Sequence, residues 1–369
     1  MKLAFVSTVF GYPLGGADTL WVHAAEAAAA RGDALLLLIP ATTAAHPRID
    51  ALVRQGARLV VRPDPSQPRP WSRRLWNRLR RSPAVEVAAL AAFAPDLVLV
   101  SGGATYDLAF EPALLDWLRT TGTKHRIVAN FQFENPTLDE PLRGRARAAL
   151  LGAERLFFVS HRNLASTRRH LGDDLARAAV LQNPLRSVPP QALPWPASPP
   201  WRFAALARLE GVKGLPPLLH AFADRLRTEP DWTLSIFGRG PQQAELAETA
   251  RRLGLAERVT LRGFEPDLAR IWSEHHLLVS PALEEGVPMT IPEAMLHGRP
   301  VLATRVGGAE DWIEDGANGW ICPAPTVELL GETLVRAWRD RARWAELGTA
   351  ARRTAGSRYR ADDHLQLIA

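Results

Sequence analysis

Apolar runs too continuous to be half-exposed strands limit this chain more than any other feature. "KLAFVST", "ALLLLI", "RLVVR", "DLVLVS", "RIVANF" and "RLFFVS" follow one another through the first half. A strand with one wet face alternates apolar and polar residues, whereas a strand apolar throughout is covered on both faces. Between these runs lie helical patterns such as "ADTLWVHAAEAAAARG", which closes on Gly32. That order predicts a parallel sheet with helices on both sides. The rhythm breaks once, at "PLRSVPPQALPWPASPP" (184–200), where seven prolines exclude helix and central strand and predict a semi-rigid connector. It then resumes with "RFAALA", "TLSIFG", "RVTLRG", "LLVSPA" and "PVLAT". The expected fold class is α/β: two doubly wound, Rossmann-like domains, 1–183 and 201–356, joined by a hinge at 184–200 and facing a central cleft. A C-terminal helix, 357–369, is expected to complete the first domain. Ligands of such folds bind outside the carboxyl ends of the strands.

Composition narrows the class. The 369 residues are 47% hydrophobic and 23% charged, enough to build two cores. No apolar run approaches the ~20 residues that span a bilayer. The N-terminus, "MKLAFVSTVFGYPLGG", starts a strand and not a signal peptide. One cysteine, Cys322, excludes an internal disulfide and a multi-cysteine metal site. The reading is cytoplasmic. Charge is uneven, +7 over residues 1–183 and −1 over the rest. The excess points to an anionic partner for the first half, or to arginines scattered over its surface. No nucleic-acid recognition motif accompanies it, so nucleic acid is not an expected partner.

Three strand-exit loops in the second half carry chemistry. "ALARLEGVKGL" puts Arg208 and Lys213 in the turn leaving "RFAALA", a forked donor and a point charge suited to a pyrophosphate. The chain has only three lysines (Lys2, Lys124, Lys213) among many arginines, which singles out Lys213. Surface cations in loops are nonetheless common. "IFGRGPQQAEL" follows, with Gly238 and Gly240 for a tight turn and Pro241 to start a helix. The third is "SPALEEGVPMTIPEAMLHGRPVLATRVGGAED", with Glu285 just past a strand and Thr290-Ile-Pro-Glu293 in a capping-box pattern. Two readings stand. Either Glu293 caps the helix and Glu285 is a solvated acid, or both carboxylates meet the hydroxyls of a nucleotide sugar whose phosphates sit at the helix start.

These motifs, in this order, resemble the retaining glycosyltransferases of family 4, which have the GT-B fold. "GGADTLWVHAAEAAAARGD", "ARLEGVKGL", "FGRGPQQAEL" and "EEGVPMTIPEAMLHGRPVLATRVGGAEDWIEDGANGW" carry the resemblance, the last through its Glu-x7-Glu signature. It implies that Arg208 and Lys213 neutralise the departing diphosphate, that Glu285 contacts the donor sugar and that Glu293 contacts the ribose. Gly15 and Gly16 would let first-domain backbone approach the phosphates. Gly238, Gly263, Gly286, Met289 and Thr290 complete the implied donor set. The donor is then a nucleoside-diphosphate sugar and the acceptor a polysaccharide or lipid-linked glycan. No other cofactor is expected and, with no Asp-x-Asp in the chain, no metal. Ala207 stands where the family usually has glycine, and Asp18 and Asp311 where glutamates are common. The strand "RIVANFQFENP" lacks the histidine often found at its end, leaving Asn130, Gln132 and Glu134 as acceptor-side candidates. Competing readings are a non-catalytic sugar-nucleotide-binding module and a GT-B epimerase or phosphorylase. A phosphorylase needs a lysine for pyridoxal phosphate, and Lys213 already serves the phosphate loop.

One stretch points to a membrane. In "PWSRRLWNRLRRS", Pro70 to Ser82, helical projection gathers Trp71, Leu75, Trp76 and Leu79 on one side, with Arg73, Arg74, Arg78, Arg80 and Arg81 around the rest. Such a helix lies in the headgroup layer of an anionic bilayer, here the inner face of the membrane. The alternative is a surface helix whose Trp–Leu stripe packs on its own domain.

Overall fold

The computed structural model describes residues 1–10, 14–63, 85–131 and 139–369. It divides into two compact units, Met1–Pro184 with Arg360–Ala369, and Leu185–Tyr359. In the first, seven parallel strands lie in the order β3-β2-β1-β4-β5-β6-β7. They are β1 (Lys2–Ser7), β2 (Ala34–Pro40), β3 (Arg58–Arg62), β4 (Leu97–Gly102), β5 (His125–Ala129), β6 (Arg155–Phe158) and β7 (Ala178–Val180). The centre of this sheet is dry on both faces: Phe5 pairs with Leu37 on one side and Leu99 on the other, and all three are buried. That burial accounts for the unbroken apolar runs. Helix Gly16–Ala30 ends as expected, with Gly32 in the left-handed region at φ +83.

The second unit has six strands in the order β10-β9-β8-β11-β12-β13. These are β8 (Trp201–Leu206), β9 (Trp232–Phe237), β10 (Val259–Gly263), β11 (Leu277–Ser280), β12 (Val301–Thr304) and β13 (Gly319–Cys322). One face of this sheet packs an aromatic cluster in which Phe203 meets Phe222 at 5.1 Å and Trp344 at 5.2 Å between ring centroids. Such pairs add about 0.5–1.5 kcal/mol each beyond their area burial. The other face is covered by Trp272, Ile291, Met295 and Ala351. Both sheets reverse direction beside their first strand, between β1 and β4 and between β8 and β11. These are the topological switch points at which doubly wound sheets open a crevice.

Four expectations change. Strands β7 and β13 are additional: "AAV" is half-buried throughout and "GWIC" opens on glycine, so neither reads as a buried run. The proline-rich segment, expected as a semi-rigid hinge, is held from Leu185 onward as part of the second unit. Arg352 donates to the Pro189 carbonyl and Arg299 to that of Pro194, while Trp195 packs edge-on against His276. Burial drives the His276 pKa down to about 4, so this ring is neutral inside its aromatic cage. No helix spans 357–369. The last α-helix, Trp344–Arg358, belongs to the second unit, and the chain re-enters the first through a 3-10 turn, Asp363–Leu367. Gln182 N–H donates to Asp363 at 2.8 Å and Arg126 to the Leu367 carbonyl at 3.0 Å, which fixes that return. Among the described residues no helix is long and apolar enough to cross a membrane.

Candidate functional site

The strand exits around the β8/β11 switch point are drawn together by glycines. Gly214 follows Lys213 with φ +65, and a β-carbon there would lie 1.9 Å from the Pro281 carbonyl oxygen at the β11 exit. Gly238, at φ +140, would put one 1.8 Å from the Ala207 oxygen at the β8 exit. No other residue permits either approach. Backbone bonds then fasten the loops: Leu283 N–H to the Val212 carbonyl at 2.8 Å, Leu209 N–H to Arg239 at 3.0 Å, and Gly308 N–H to Gly286 at 2.9 Å.

On this frame three cations each meet a carboxylate. Lys213 Nζ donates to Glu285, and both side chains are largely enclosed. Arg208 pairs with Glu210 at 2.7 Å. Arg186 grips Glu293 with Nε to Oε1 at 2.9 Å and Nη2 to Oε2 at 2.7 Å, and its own backbone N–H reaches Oε1 at 3.3 Å. The hydrogen-bonded carboxylate raises the Arg186 pKa above its ordinary value. Alongside lies a cavity of about 340 Å3 lined by Arg186, Arg208, Phe237, Gly238, Phe264 and Thr290, among others. Phe264 is 58% exposed, and its ring offers a stacking surface at the cavity wall. Each of these three ion pairs is neutral until a polyanion arrives, and Arg239, exposed on the cavity wall, adds a further cation. A diphosphate can take over the cations, and the displaced Glu285 can then accept hydroxyl hydrogens.

The expected residues separate into groups. Arg208, Lys213, Glu285, Gly238 and Thr290 gather at these exits, with Gly286 buried beneath them, Met289 half-buried and Gly263 ending β10 at φ +71. Glu293 does not behave as expected. The helix Thr290–Leu296 has Met289 as N-cap with no side-chain cap bond, and the Glu293 side chain is fully buried behind Arg186. The capping box does not form because the guanidinium outbids a backbone N–H for the carboxylate. Gly15 and Gly16 belong to the first unit. There Asp18, buried and raised in pKa by that burial, accepts from Gly15 N–H at 3.2 Å and Trp21 Nε1 at 2.9 Å, fixing the helix start. Asn130 is buried and donates to the Gly102 carbonyl at 2.8 Å and to Ser101 at 3.2 Å, tying β5 to β4. Gln132 and Glu134 lie outside the described residues, as do Trp71, Arg74, Leu75, Trp76, Arg78 and Leu79.

Three contributors escaped the sequence reading. Glu210 sits inside a quoted motif, unremarked. Phe264 follows a strand-ending glycine, Gly263, a signal of the same type as Gly238 after β9. Arg186 stands among prolines 107 positions from its partner, and no local pattern marks it.

Residues 201–340 match the family model for glycosyl transferases group 1. The chain is 29% identical over 225 residues to an exopolysaccharide phosphotransferase of Streptomyces coelicolor, covering 60% of this chain and 23% of that protein. It is 30% identical over 157 residues to a D-inositol 3-phosphate glycosyltransferase of Nocardia farcinica, covering 40% and 35%. This chain therefore spans well under half the length of either relative. In structure it resembles the Anabaena protein HepE, solved with UDP, at a TM-score of 0.75 and 20% identity over 100% of this chain and 98% of that one. The fold is GT-B, two Rossmann-like α/β domains.

Proposed function

We propose that this protein is a retaining glycosyltransferase that moves a sugar from a nucleoside diphosphate to a polysaccharide or lipid-linked acceptor of the cell envelope. One observation carries the reading: Arg208 and Lys213 leave β8 at the switch point, each held by a carboxylate, beside a cavity with an exposed aromatic ring. The group 1 match covers the strands that bear them, and the relatives named above act, by their names, on exopolysaccharide and inositol phosphate. The UDP held by HepE supports a nucleotide donor.

The chemistry follows from the charges. When the bond from the anomeric carbon to the diphosphate oxygen breaks, the electron pair leaves with the diphosphate. Arg208 and Lys213 stabilise that growing charge more than they stabilise the bound donor. Glu285, relieved of Lys213, accepts from the sugar hydroxyls and fixes the ring. The acceptor oxygen bonds to the anomeric carbon from the leaving-group side and passes its proton to the departing diphosphate oxygen on that same side, so configuration is retained. Neither a metal nor a further cofactor is part of the proposal.

Thermal unfolding with UDP, GDP, ADP and their sugars tests the donor. Ligand at 100 times its Kd stabilises by about 2.7 kcal/mol, so one base should raise the melting temperature by several degrees. If none does, the donor reading fails. Hydrolysis of the stabilising nucleotide sugar separates an enzyme from a binding module. The proposal also includes peripheral contact with the cytoplasmic face of the membrane through residues 70–82. Each basic residue contributes about 1 kcal/mol near an anionic surface. Sedimentation with anionic but not neutral vesicles is expected, and its loss in Trp71→Ser/Trp76→Ser. Equal recovery in the supernatant for all mixtures ends the membrane part.

A further inference from the structure

We propose that Arg186, and not Glu293, is the group that meets the nucleotide at the cavity wall, as a specificity-determining guanidinium that Glu293 holds in position. The inference rests on the nucleotide-sugar reading of this site and refines it. Glu293 is badly placed to bind a ligand itself. Its side chain is 0% exposed, and both carboxylate oxygens are engaged by one guanidinium, Oε1 also by the Arg186 backbone. The Arg186 side chain is 43% exposed and lines the cavity with Arg208, Phe237, Phe264 and Thr290. A guanidinium has five N–H donors in a rigid plane, and the fork to Glu293 uses one from Nε and one from Nη2. The donors on its free edge suit oxygen acceptors, either ribose hydroxyls or phosphate.

The pairing explains why a buried acid is retained here. A free arginine samples many rotamers, whereas one gripped by a buried carboxylate at two atoms has lost that freedom before the ligand arrives. Glu293 is thus a positioning residue. Its charge also offsets that of the guanidinium, so that the wall presents directed N–H groups and not a bare cation. Lysine cannot substitute, because it lacks the fork that holds one edge and offers the other.

The two assignments predict opposite signs. If Glu293 were the ribose ligand, Arg186 would be its competitor, and removing Arg186 would leave affinity unchanged or tighter. If Arg186 is the contact, removing it weakens binding. Calorimetry should compare the parent, Glu293→Gln, Arg186→Ala and the double variant, using the nucleoside diphosphate that stabilises the parent and its nucleoside. Loss of a hydrogen bond from a charged group commonly costs about tenfold or more in affinity, and Arg186→Ala is expected to lose that much. That single variant leaves Glu293 buried without its ion-pair partner, so it can fail to fold. The comparison then runs between Glu293→Gln and the double variant, which removes the buried charge. A further tenfold loss in the double variant is expected. Glu293→Gln should cost several-fold in the presence of Arg186 and nothing in its absence, a coupling that a merely structural glutamate lacks. A loss seen with the nucleoside identifies ribose oxygens, and a loss confined to the diphosphate identifies phosphate. Either supports the assignment. A double variant that binds as well as Glu293→Gln overturns it while leaving the donor reading intact. A parent that binds no nucleoside diphosphate overturns the donor reading itself.

Discussion

Arg208→Ala and Lys213→Ala are each expected to lower sugar transfer by ~10²-fold or more, the range seen when one preorganised donor to a developing anion is removed. Each cation faces charge that grows only as the diphosphate departs, so the loss should fall on kcat more than on donor affinity. The competing account makes both residues structural, mere counterions of Glu210 and Glu285. Folding controls separate the two. In the Arg208–Glu210 pair the arginine is exposed, at 49%, and the glutamate half-buried, at 24%, and surface pairs of this kind are worth about 0–1 kcal/mol. Arg208→Ala should therefore melt within a few degrees of the parent while losing its activity. Lys213 is more enclosed and leaves Glu285 without its partner, so Lys213→Ala/Glu285→Gln is the control for buried charge. Turnover near the parental rate in both single variants would remove the phosphate loop from the mechanism.

The parts of this site that could be read in the sequence share one property: their neighbours in space are also neighbours in sequence. Arg208 and Lys213 follow an unbroken apolar run, so their position at a sheet's carboxyl edge comes from the strand itself. Glu285 follows β11 in the same way. Glycines at 214 and 238 mark where loops must touch, although sequence does not say what they touch. Long-range partners carry no such mark. The contact between Arg186 and Glu293 joins a proline-rich segment to a helix, and the capping-box pattern offered Glu293 a plausible local partner instead. Local propensity lost to a charge-assisted, two-point bond. The proline segment misled for a related reason. Proline correctly excluded helix and central strand, but exclusion of regular structure says nothing about whether a segment is held. Its carbonyls are unused by secondary structure and so free to accept from the buried Arg299 and the half-buried Arg352. Strands β7 and β13 stayed hidden because a short half-buried strand and one opening on glycine lack the apolar length that marked the others.

Arg299→Ala is expected to destabilise the second unit by about 3 kcal/mol or more, since charged hydrogen bonds contribute about 1.5–3 kcal/mol each and orphaned buried acceptors add their own cost. The side chain is 1% exposed and pairs with carbonyls: Nε with those of Trp272 and His275, both at 2.9 Å, and Nη2 with Pro194 at 2.8 Å. Its guanidinium also lies 5.2 Å from the Trp195 ring centroid. Burial alone lowers its pKa to about 10, which still leaves it fully charged at neutral pH. One cation therefore joins the end of β11's preceding helix to the segment entering β8. Alanine would strand those carbonyls and empty the space beside Trp195. A domain of this size shifts by about 2–4 °C per kcal/mol, so the melting temperature should fall by roughly 6–12 °C. Arg299→Lys restores the charge but not the planar fork, and is expected to recover only part of the loss. The same change should reach the site. The segment that Arg299 anchors runs from Arg186 to Trp201, so loosening it frees the guanidinium proposed to meet the nucleotide. Amide hydrogen exchange at Leu193, Trp195 and Ala197, read beside nucleotide affinity, tests that link. Faster exchange with unchanged affinity would confine Arg299 to stability, and a melting temperature within 2 °C of the parent would mean that water replaces the guanidinium at these carbonyls.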